Sequence, residues 1–246
     1  MSTLTPRSPV TEARIAGILY ILVIILGAYA ELVGRQGLVV QGHPLATLEA
    51  IATHQHAYRL GFVAEMLTNI LAIPTTLILW RLLTPTGPAL ALTALVLDLT
   101  QNTINAMNAW TQFVPLTLLP HLPDLGAIPA AQLGDLARLA LHWHDVGFQI
   151  GLTFFGFALL LEGWLVFRAL YFPAWLGLIY IIAGGCYLVD ALNFFLGLHL
   201  PFVPYLLFGS FIGEATMALW LLIMGINADR WQAVKYPSPE FTQRSI

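Results

Sequence analysis

The sequence contains little charge for its length. Only 9% of its 246 residues are Asp, Glu, Lys or Arg, whereas 58% are hydrophobic. A soluble domain normally carries about 25% charged residues, so a water-soluble fold of this size could not cover its surface. Because apolar surface in such excess is stable in lipid, the composition predicts an integral membrane protein whose surroundings are the lipid bilayer.

Other absences exclude further classes of protein. The single cysteine, Cys186, excludes an intramolecular disulfide. The net charge is −3 and there is no basic stripe or polybasic tail, which argues against nucleic-acid binding. The sequence also lacks a Walker loop, a dinucleotide fingerprint, a nucleophile elbow, a zincin motif and a haem attachment sequence. No familiar reaction is therefore indicated.

Long apolar segments dominate the chain. A helix needs about 20 mostly apolar residues to cross the hydrocarbon layer, and six segments meet that need: 14–33, 58–83, 89–113, 139–167, 174–198 and 203–226. They are too long and too continuously apolar for barrel strands. The prediction is an all-α polytopic bundle of six transmembrane helices at 14–227, between an N-terminal segment, 1–13, and a polar C-terminal tail, 228–246.

The basic residues predict the orientation of the bundle. A cytoplasmic N-terminus leaves only Arg35, Arg59 and Arg138 outside. The inside then holds Arg7, Arg14, Arg81, Arg168, Arg230, Lys235 and Arg244. This bias favours a multi-pass protein of the cell membrane with both termini in the cytoplasm. In this orientation the long loops at 34–57 and 114–138 lie outside. The segment after Pro44 predicts a short helix in the first of these loops.

A polar stripe marks the third apolar segment. At about 100° per residue, an arc of roughly 120° collects six polar residues. They are Asp98, Gln101, Asn102, Asn105, Asn108 and Gln112. Such a stripe cannot face lipid, because its amides would lack hydrogen-bond partners. Interhelical hydrogen bonds and a water-accessible cavity both remain open, and the length of the stripe favours the cavity.

The other segments add acids and amides at a similar depth under this orientation. The predicted pocket comprises Glu31, Glu65, Asn69, Asp98, Gln101, Asn102, Asn105, Asn108, Asp145, Gln149, Asp190, Asn193 and Glu214. The candidates for acid–base catalysis are Glu65, Asp98, Asp145, Asp190 and Glu214. Most lie in the predicted outer half of the membrane, with Asp98 and Glu214 as a floor near the midplane. Glu162 lies in the inner half and is predicted to pair with Arg168.

All seven histidines map to the predicted outer side. Imidazole and carboxylate are ligands that suit Zn, Cu or Fe, and His142, His144 and Asp145 form the strongest candidate for a divalent metal site. The i,i+2 spacing of the two histidines argues against a metal site, because such side chains diverge on a helix.

A separate group of glycines predicts close helix contacts. It comprises Gly147, Gly151, Gly156, Gly177, Gly184 and Gly185.

Several stretches resemble a known family. They are RIAGILY at 14–20, YRLGFVAE at 58–65, HDVGFQIGL at 144–152, FFG at 154–156, LG at 176–177, YLVD at 187–190 and GE at 213–214. Together they resemble a bacterial family of polytopic membrane proteins catalogued as a domain of unknown function (4386 series). The chain departs from that pattern at Trp175 and at Met224, where a basic residue is expected. The resemblance implies a single domain and carries no established activity.

Three functions stay open on the sequence. The first is ligand binding, in which an outward-facing pocket takes up a small or amphiphilic ligand or a cation. The second is a membrane enzyme that acts on a lipid-like substrate by carboxyl and histidine chemistry or through a metal. The third is an accessory subunit of a membrane complex, whose protein partners the sequence does not identify. Polar side chains that pair directly favour the third, whereas a cavity among them favours the first two.

Overall fold

The computed structural model describes residues 8–119 and 128–236, and within these ranges every regular element is helical. The helices are α1 (Pro9–Tyr29), α2 (Pro44–Thr53), α3 (Gln55–Leu83), α4 (Pro88–Thr117), α5 (Ala130–Arg168), α6 (Ala174–Leu196), α7 (Val203–Ile223) and α8 (Ala228–Lys235). A π-helical turn, Ala30–Arg35, and a 3₁₀ turn, Gln36–Leu38, follow α1 directly. The predicted all-α class is therefore confirmed.

Five helical segments in the described part of the chain are long and apolar enough to cross a membrane. They are Pro9–Leu38, Gln55–Leu83, Ala130–Arg168, Ala174–Leu196 and Val203–Ile223. The 30-residue α4 has the length of a span but is not among these five, because its polar stripe lowers the hydropathy of every 18-residue stretch. Large apolar side chains such as Met107, Leu170 and Phe208 lie mostly exposed, as they do where lipid surrounds the protein. The sixth span stays a prediction.

Several boundaries differ from those predicted. Helix α1 begins at Pro9 instead of residue 14, and α5 begins at Ala130, inside the predicted outer loop. With 39 residues, α5 is roughly 58 Å long at 1.5 Å per residue, so it exceeds the roughly 30 Å hydrocarbon layer. The short helix after Pro44 is confirmed as α2. The first half of the predicted tail is helical, as α8, while Arg7, His121, Arg244 and the tail from 237 onward lie outside the described residues.

The chain forms two compact units. The first unit contains the described residues up to 21, together with 72–101 and 152–236. The second unit contains 22–71, 102–119 and 128–151. The second has an apolar core in which buried residues of α2, such as Ile51, pack with Tyr58 of α3, Leu116 of α4 and Leu141 of α5. Each unit holds its own group of buried polar residues.

Glycines allow close helix contacts inside each unit. A Cβ added to Gly34 would lie 2.5 Å from the Cα of Gly61 in the second unit. In the first unit a Cβ on Gly184 would lie 2.7 Å from the carbonyl oxygen of Gly156. Close packing is thus confirmed for most of the predicted glycines. Gly185 is the exception, since an added Cβ there meets nothing within 4 Å.

Candidate functional site

The π-helical turn after α1 carries the only arginine that is buried in the described residues. Glu31 and Arg35 are four residues apart and lie on one side of this turn, and π-helical turns often occur at functional sites. Arg35 is only 5% exposed. Its Nη2 pairs with Glu31, and its Nη1 lies 3.9 Å from Oδ1 of Asp145 on α5. The guanidinium carbon also lies 6.0 Å from the centre of the Phe148 ring.

A cavity of about 170 Å³ opens beside this arginine, within the second unit. We refer to it as the Glu65 cavity. Its wall is largely apolar and is formed by Gly27, Ala30, Glu31, Arg35, Glu65, Thr68, Asn69, Asn105, Gln112, His144 and Phe148. Drug-sized ligands usually occupy about 300–1,000 Å³, so this space suits a small ligand or the polar end of a longer one.

Several polar atoms of the wall residues have no hydrogen-bond partner among the described residues. They are Nε and Nη1 of Arg35, Oδ1 of Asn105 and Nε2 of Gln112. A buried polar atom without a partner costs about 1–3 kcal/mol, and natural structures contain few of them. Three residues of one wall therefore retain both donors and an acceptor for a bound molecule.

The polar stripe of α4 supplies part of this wall. None of its six residues is exposed, while Val96, Met107 and Trp110 on the other side of the helix are. The prediction that the stripe faces away from lipid is confirmed. The stripe also bonds to neighbouring helices. Nδ2 of Asn108 donates to the carbonyl oxygen of His144 at 2.7 Å, and Tyr58 donates to the carbonyl oxygen of Gln112 at 2.5 Å.

The hydrogen bonds around His144 determine which ring nitrogen reaches the cavity. The hydroxyl of Thr111 donates to the carbonyl oxygen of Asn108 at 2.6 Å, and its oxygen lies 3.3 Å from Nδ1 of His144. This contact holds the ring by its Nδ1 side. Nε2 then lies 3.8 Å from Oε1 of Glu65. The wall thus holds an oriented imidazole beside a carboxylate.

A second cavity of about 210 Å³ also belongs to the second unit. We refer to it as the Arg138 cavity. It is lined by Arg35, Gln36, Val39, Gln41, Thr47, Arg138, Leu141, His142 and Asp145. Its wall is more polar than that of the Glu65 cavity. Arg35 is the one residue common to both walls.

Two buried acids of the first unit, Asp98 and Glu214, have hydroxyl partners. Tyr20 donates to Oε2 of Glu214 at 2.9 Å, and Tyr187 donates to Oε1 of the same carboxyl. The hydroxyl oxygens of Tyr20 and Tyr180 lie 2.8 Å apart. Thr76 donates to Oδ2 of Asp98 at 2.5 Å. These contacts join α1, α3, α4, α6 and α7 inside one unit, as expected for polar groups that hold membrane helices together.

Glu162 corrects one prediction from the sequence. It is buried and interacts with Asp98 and Tyr180 instead of pairing with Arg168. The guanidinium carbon of Arg168 lies 5.7 Å from the centre of the Trp164 ring. The reason is helical geometry, because residues six apart on a helix are separated by about 120° around its axis.

The structure divides the predicted pocket between the two units. The predicted residues that line the Glu65 cavity are Glu31, Glu65, Asn69 and Asn105. Asp145 lines the Arg138 cavity, whereas Asn102, Asn108 and Gln149 belong to the second unit but line neither cavity. The members in the first unit are Asp98, Gln101, Asp190, Asn193 and Glu214. Of these, Asn193 accepts a hydrogen bond from the Leu200 N–H at 2.8 Å and so holds the loop after α6.

The histidines of the candidate metal site lie in different places. His144 is buried in the wall of the Glu65 cavity, whereas His142 is exposed and lines the Arg138 cavity with Asp145. The divergence expected from their i,i+2 spacing is present. The described ranges contain no group of three or more His, Cys, Asp or Glu placed to hold a metal ion. The residues present therefore do not form a metal site.

Arg35 and the tyrosines are the residues that the sequence did not single out. Arg35 was predicted only as one of three basic residues on the outer side. The spacing Glu31-x-x-x-Arg35 at the end of an apolar segment was the available signal, since residues four apart face each other on a helix. Tyr20 and Tyr187 lie in stretches that carry the family resemblance, but no local pattern identifies the bonding partners of these tyrosines, because the partners come from other helices.

The long apolar helices and their exposed apolar surface define an integral, multi-pass membrane protein of helical fold. The chain belongs to the DUF4386 family, a domain of unknown function, whose model matches residues 15–225. An uncharacterised protein of Archaeoglobus fulgidus is 40% identical over 77 residues. That match spans 31% of this chain and 45%, or less than half, of the archaeal protein. No solved structure matches the chain.

Proposed function

We propose that the protein binds a small amphiphilic molecule, whose polar end occupies the Glu65 cavity. The observation that carries this proposal is the group of buried polar atoms without partners in the cavity wall, on Arg35, Asn105 and Gln112. A ligand that both donates and accepts hydrogen bonds satisfies these atoms. A volume of about 170 Å³ holds little more than such a group, and the apolar wall suits the start of an alkyl chain.

The test uses a simple amphiphile with the required chemistry. Octanamide carries both an N–H donor and a carbonyl acceptor, whereas N,N-dimethyloctanamide carries only the acceptor. Titration calorimetry of the purified full chain in a neutral detergent should give saturable binding of octanamide and weaker binding of the dimethyl compound. Asn105→Leu should weaken octanamide binding by about 3- to 10-fold, as expected for the loss of about one hydrogen bond.

Asn102→Leu is the matched control, because Asn102 is a buried member of the same stripe that does not line the cavity. Both variants are compared with the parent protein by melting temperature, so that a folding defect is recognised. If the parent protein does not bind octanamide, the proposal is refuted. An equal loss of affinity in the two variants refutes it as well, since the cavity is then not where the amide binds.

Acid–base catalysis at the same cavity is the second candidate. It is favoured by the Glu65–His144 pair, because Thr111 orients the imidazole so that Nε2 faces the carboxylate. Histidine and glutamate side chains are the groups that most often act as general acids and bases. Hydrolysis of a panel of short-chain lipid esters should then be lost in His144→Gln and kept in His142→Gln. Equal rates in both variants reject a catalytic role for His144.

We infer the topology from the distribution of basic residues. The chain crosses the cell membrane, which is the inner membrane of its bacterial host, six times. The third crossing is α4. Both termini lie in the cytoplasm, and the Glu65 cavity faces outward. In a Cys186→Ser background, an impermeant maleimide should label His54→Cys in intact cells and label Asp229→Cys only after lysis. The opposite pattern inverts the orientation.

A further inference from the structure

Hydrogen-bond donors predominate in the wall of the Arg138 cavity. Its wall contains two arginines, Arg35 and Arg138, and one carboxylate, Asp145, while Glu31, which pairs with Arg35, lines the other cavity. The wall residues come from the turns after α1, from α2 and from α5, all in the second unit. The neutral side chains Gln36 and Gln41 supply further N–H donors. Because donors and cations outnumber acceptors, this wall favours an anion.

The geometry of Arg35 provides an independent observation. Its Nη2 is occupied by Glu31, on the side of the Glu65 cavity, whereas its Nη1 points toward Asp145, on the side of the Arg138 cavity. The 3.9 Å between Nη1 and Asp145 exceeds the roughly 2.7–3.2 Å of an N–H···O hydrogen bond. Nη1 therefore has no hydrogen-bond partner in the described ranges, although the residue is nine-tenths buried.

The loop that closes this cavity is held by its own hydrogen bonds. Oγ1 of Thr47 accepts the Val40 N–H at 2.9 Å and lies 3.3 Å from the carbonyl oxygens of Val40 and His43. Thr47 thus fixes the chain between the 3₁₀ turn and α2. Gln41 lies within that fixed stretch and lines the cavity. The cavity has a positioned wall, which lowers the cost of ordering it around a ligand.

We propose that the Arg138 cavity binds an oxyanion of the phosphate class, held between the guanidinium groups of Arg35 and Arg138. Guanidinium groups bind phosphate through paired, charge-assisted hydrogen bonds. A volume of about 210 Å³ is several times the roughly 30 Å³ of a water molecule, so it accommodates such an ion. Inorganic phosphate and the head group of a phospholipid share this chemistry. The site is separate from the Glu65 cavity and has only Arg35 in common with it.

The test measures binding of two probes by the full chain in a neutral detergent at low ionic strength, where charge effects are least screened. Inorganic phosphate represents a free ion, and dihexanoyl phosphatidic acid represents a lipid head group. Arg138→Gln should weaken binding about tenfold, as the loss of a charge-assisted hydrogen bond predicts. Arg59→Gln is the matched control, because Arg59 is an exposed arginine of the same unit that lies over Phe113 and outside this cavity.

Asp145→Asn should change the affinity for the anion in the opposite direction. Asp145 competes with an anion for Arg35, so its neutralisation should tighten binding about threefold or more. A variant that merely disturbs the fold would weaken binding instead. Arg138 does not line the Glu65 cavity, so Arg138→Gln should still bind octanamide. Measuring octanamide binding in this variant therefore distinguishes a failure of the anion site from a failure of the amphiphile site.

Each outcome has a defined meaning. Binding of phosphate alone supports a site for a free ion, binding of phosphatidic acid alone supports a lipid head group, and binding of both supports a site for either. Binding of neither probe overturns the proposal. Equal weakening in Arg138→Gln and Arg59→Gln overturns it too, since the effect is then one of overall charge. Weaker binding in Asp145→Asn also contradicts it.

Discussion

Gly34→Ala should destabilise the second unit and weaken ligand binding together. Gly34 lies in the π-helical turn, next to Arg35, and faces Gly61 on α3. The added Cβ would lie 2.5 Å from the Cα of Gly61, whereas carbon atoms prefer about 3.5–4.0 Å. Both contacting atoms belong to backbone or are fixed to it, so no side-chain rotation relieves the overlap. The two segments must separate by about 1 Å.

The expected magnitude follows from this overlap. Overpacking in a well-packed region costs about 1–3 kcal/mol. Gly34 is outside a regular α-helix, so alanine gains little helix propensity there, and the net loss for Gly34→Ala is about 1–3 kcal/mol. Gly61 lies inside α3, where alanine gains up to about 1 kcal/mol, so Gly61→Ala should lose about 0–2 kcal/mol. For a protein of this size, 1 kcal/mol shifts the melting temperature by about 2–4 °C.

The assay is thermal unfolding of the full chain in detergent, followed by tryptophan fluorescence, with octanamide titration on the same samples. Gly34→Ala should lower the melting temperature by about 2–12 °C and weaken binding, because Glu65 lies one turn after Gly61. Gly185→Ala and Gly209→Ala are the controls, since an added Cβ at either meets nothing within 4 Å. If Gly34→Ala is as stable as these controls, the close contact between the π-helical turn and α3 is wrong.

Three further predictions concern stability. Ile51→Ala should cost about 2–5 kcal/mol, because Ile51 is fully buried in the core of the second unit, whereas Leu60→Ala, at an exposed position, should cost far less in the same thermal assay. Tyr20→Phe should cost about 1–3 kcal/mol, since it removes a hydrogen bond from the buried carboxyl of Glu214; an unchanged melting temperature argues against that bond. Burial raises the pKa of Tyr171, in the loop after α5, from about 10 to about 12. The contribution of Tyr171 to stability should therefore be constant below about pH 10 and fall between pH 10 and 12, where only the unfolded chain loses the proton; Tyr171→Phe should lack that part of the fall.

Part of the candidate site could be predicted from the sequence. The orientation of the α4 stripe is an example, because the faces of a helix follow from its period alone. Glu65, Asn69 and Asn105 were predicted to share a pocket for the same reason, and all three line one cavity. The divergence of His142 and His144 was equally predictable from spacing. These are properties of single helices and need no knowledge of their neighbours.

The remaining part depended on contacts between distant residues. Glu65 and Glu214 are both acids in apolar helices, and the sequence treated them alike. In the structure two tyrosines bond Glu214, whereas Glu65 faces a cavity. Tyr20 and Glu214 are 194 positions apart, so no local pattern could identify them as partners. The burial of Arg35 likewise depends on α5, which supplies Asp145 and Phe148.

The sequence by itself determined that this protein resides in a membrane, that it is helical, and which side of α4 is buried. Composition and helical period suffice for these, because the bilayer forces apolar segments into helices and excludes amides without partners. Only the tertiary structure decided which buried polar groups are satisfied and which are not. That depends on the geometry of packed helices. The packing geometry gives Glu214 of the first unit tyrosine partners, whereas it leaves polar atoms in the cavity wall of the second unit without partners.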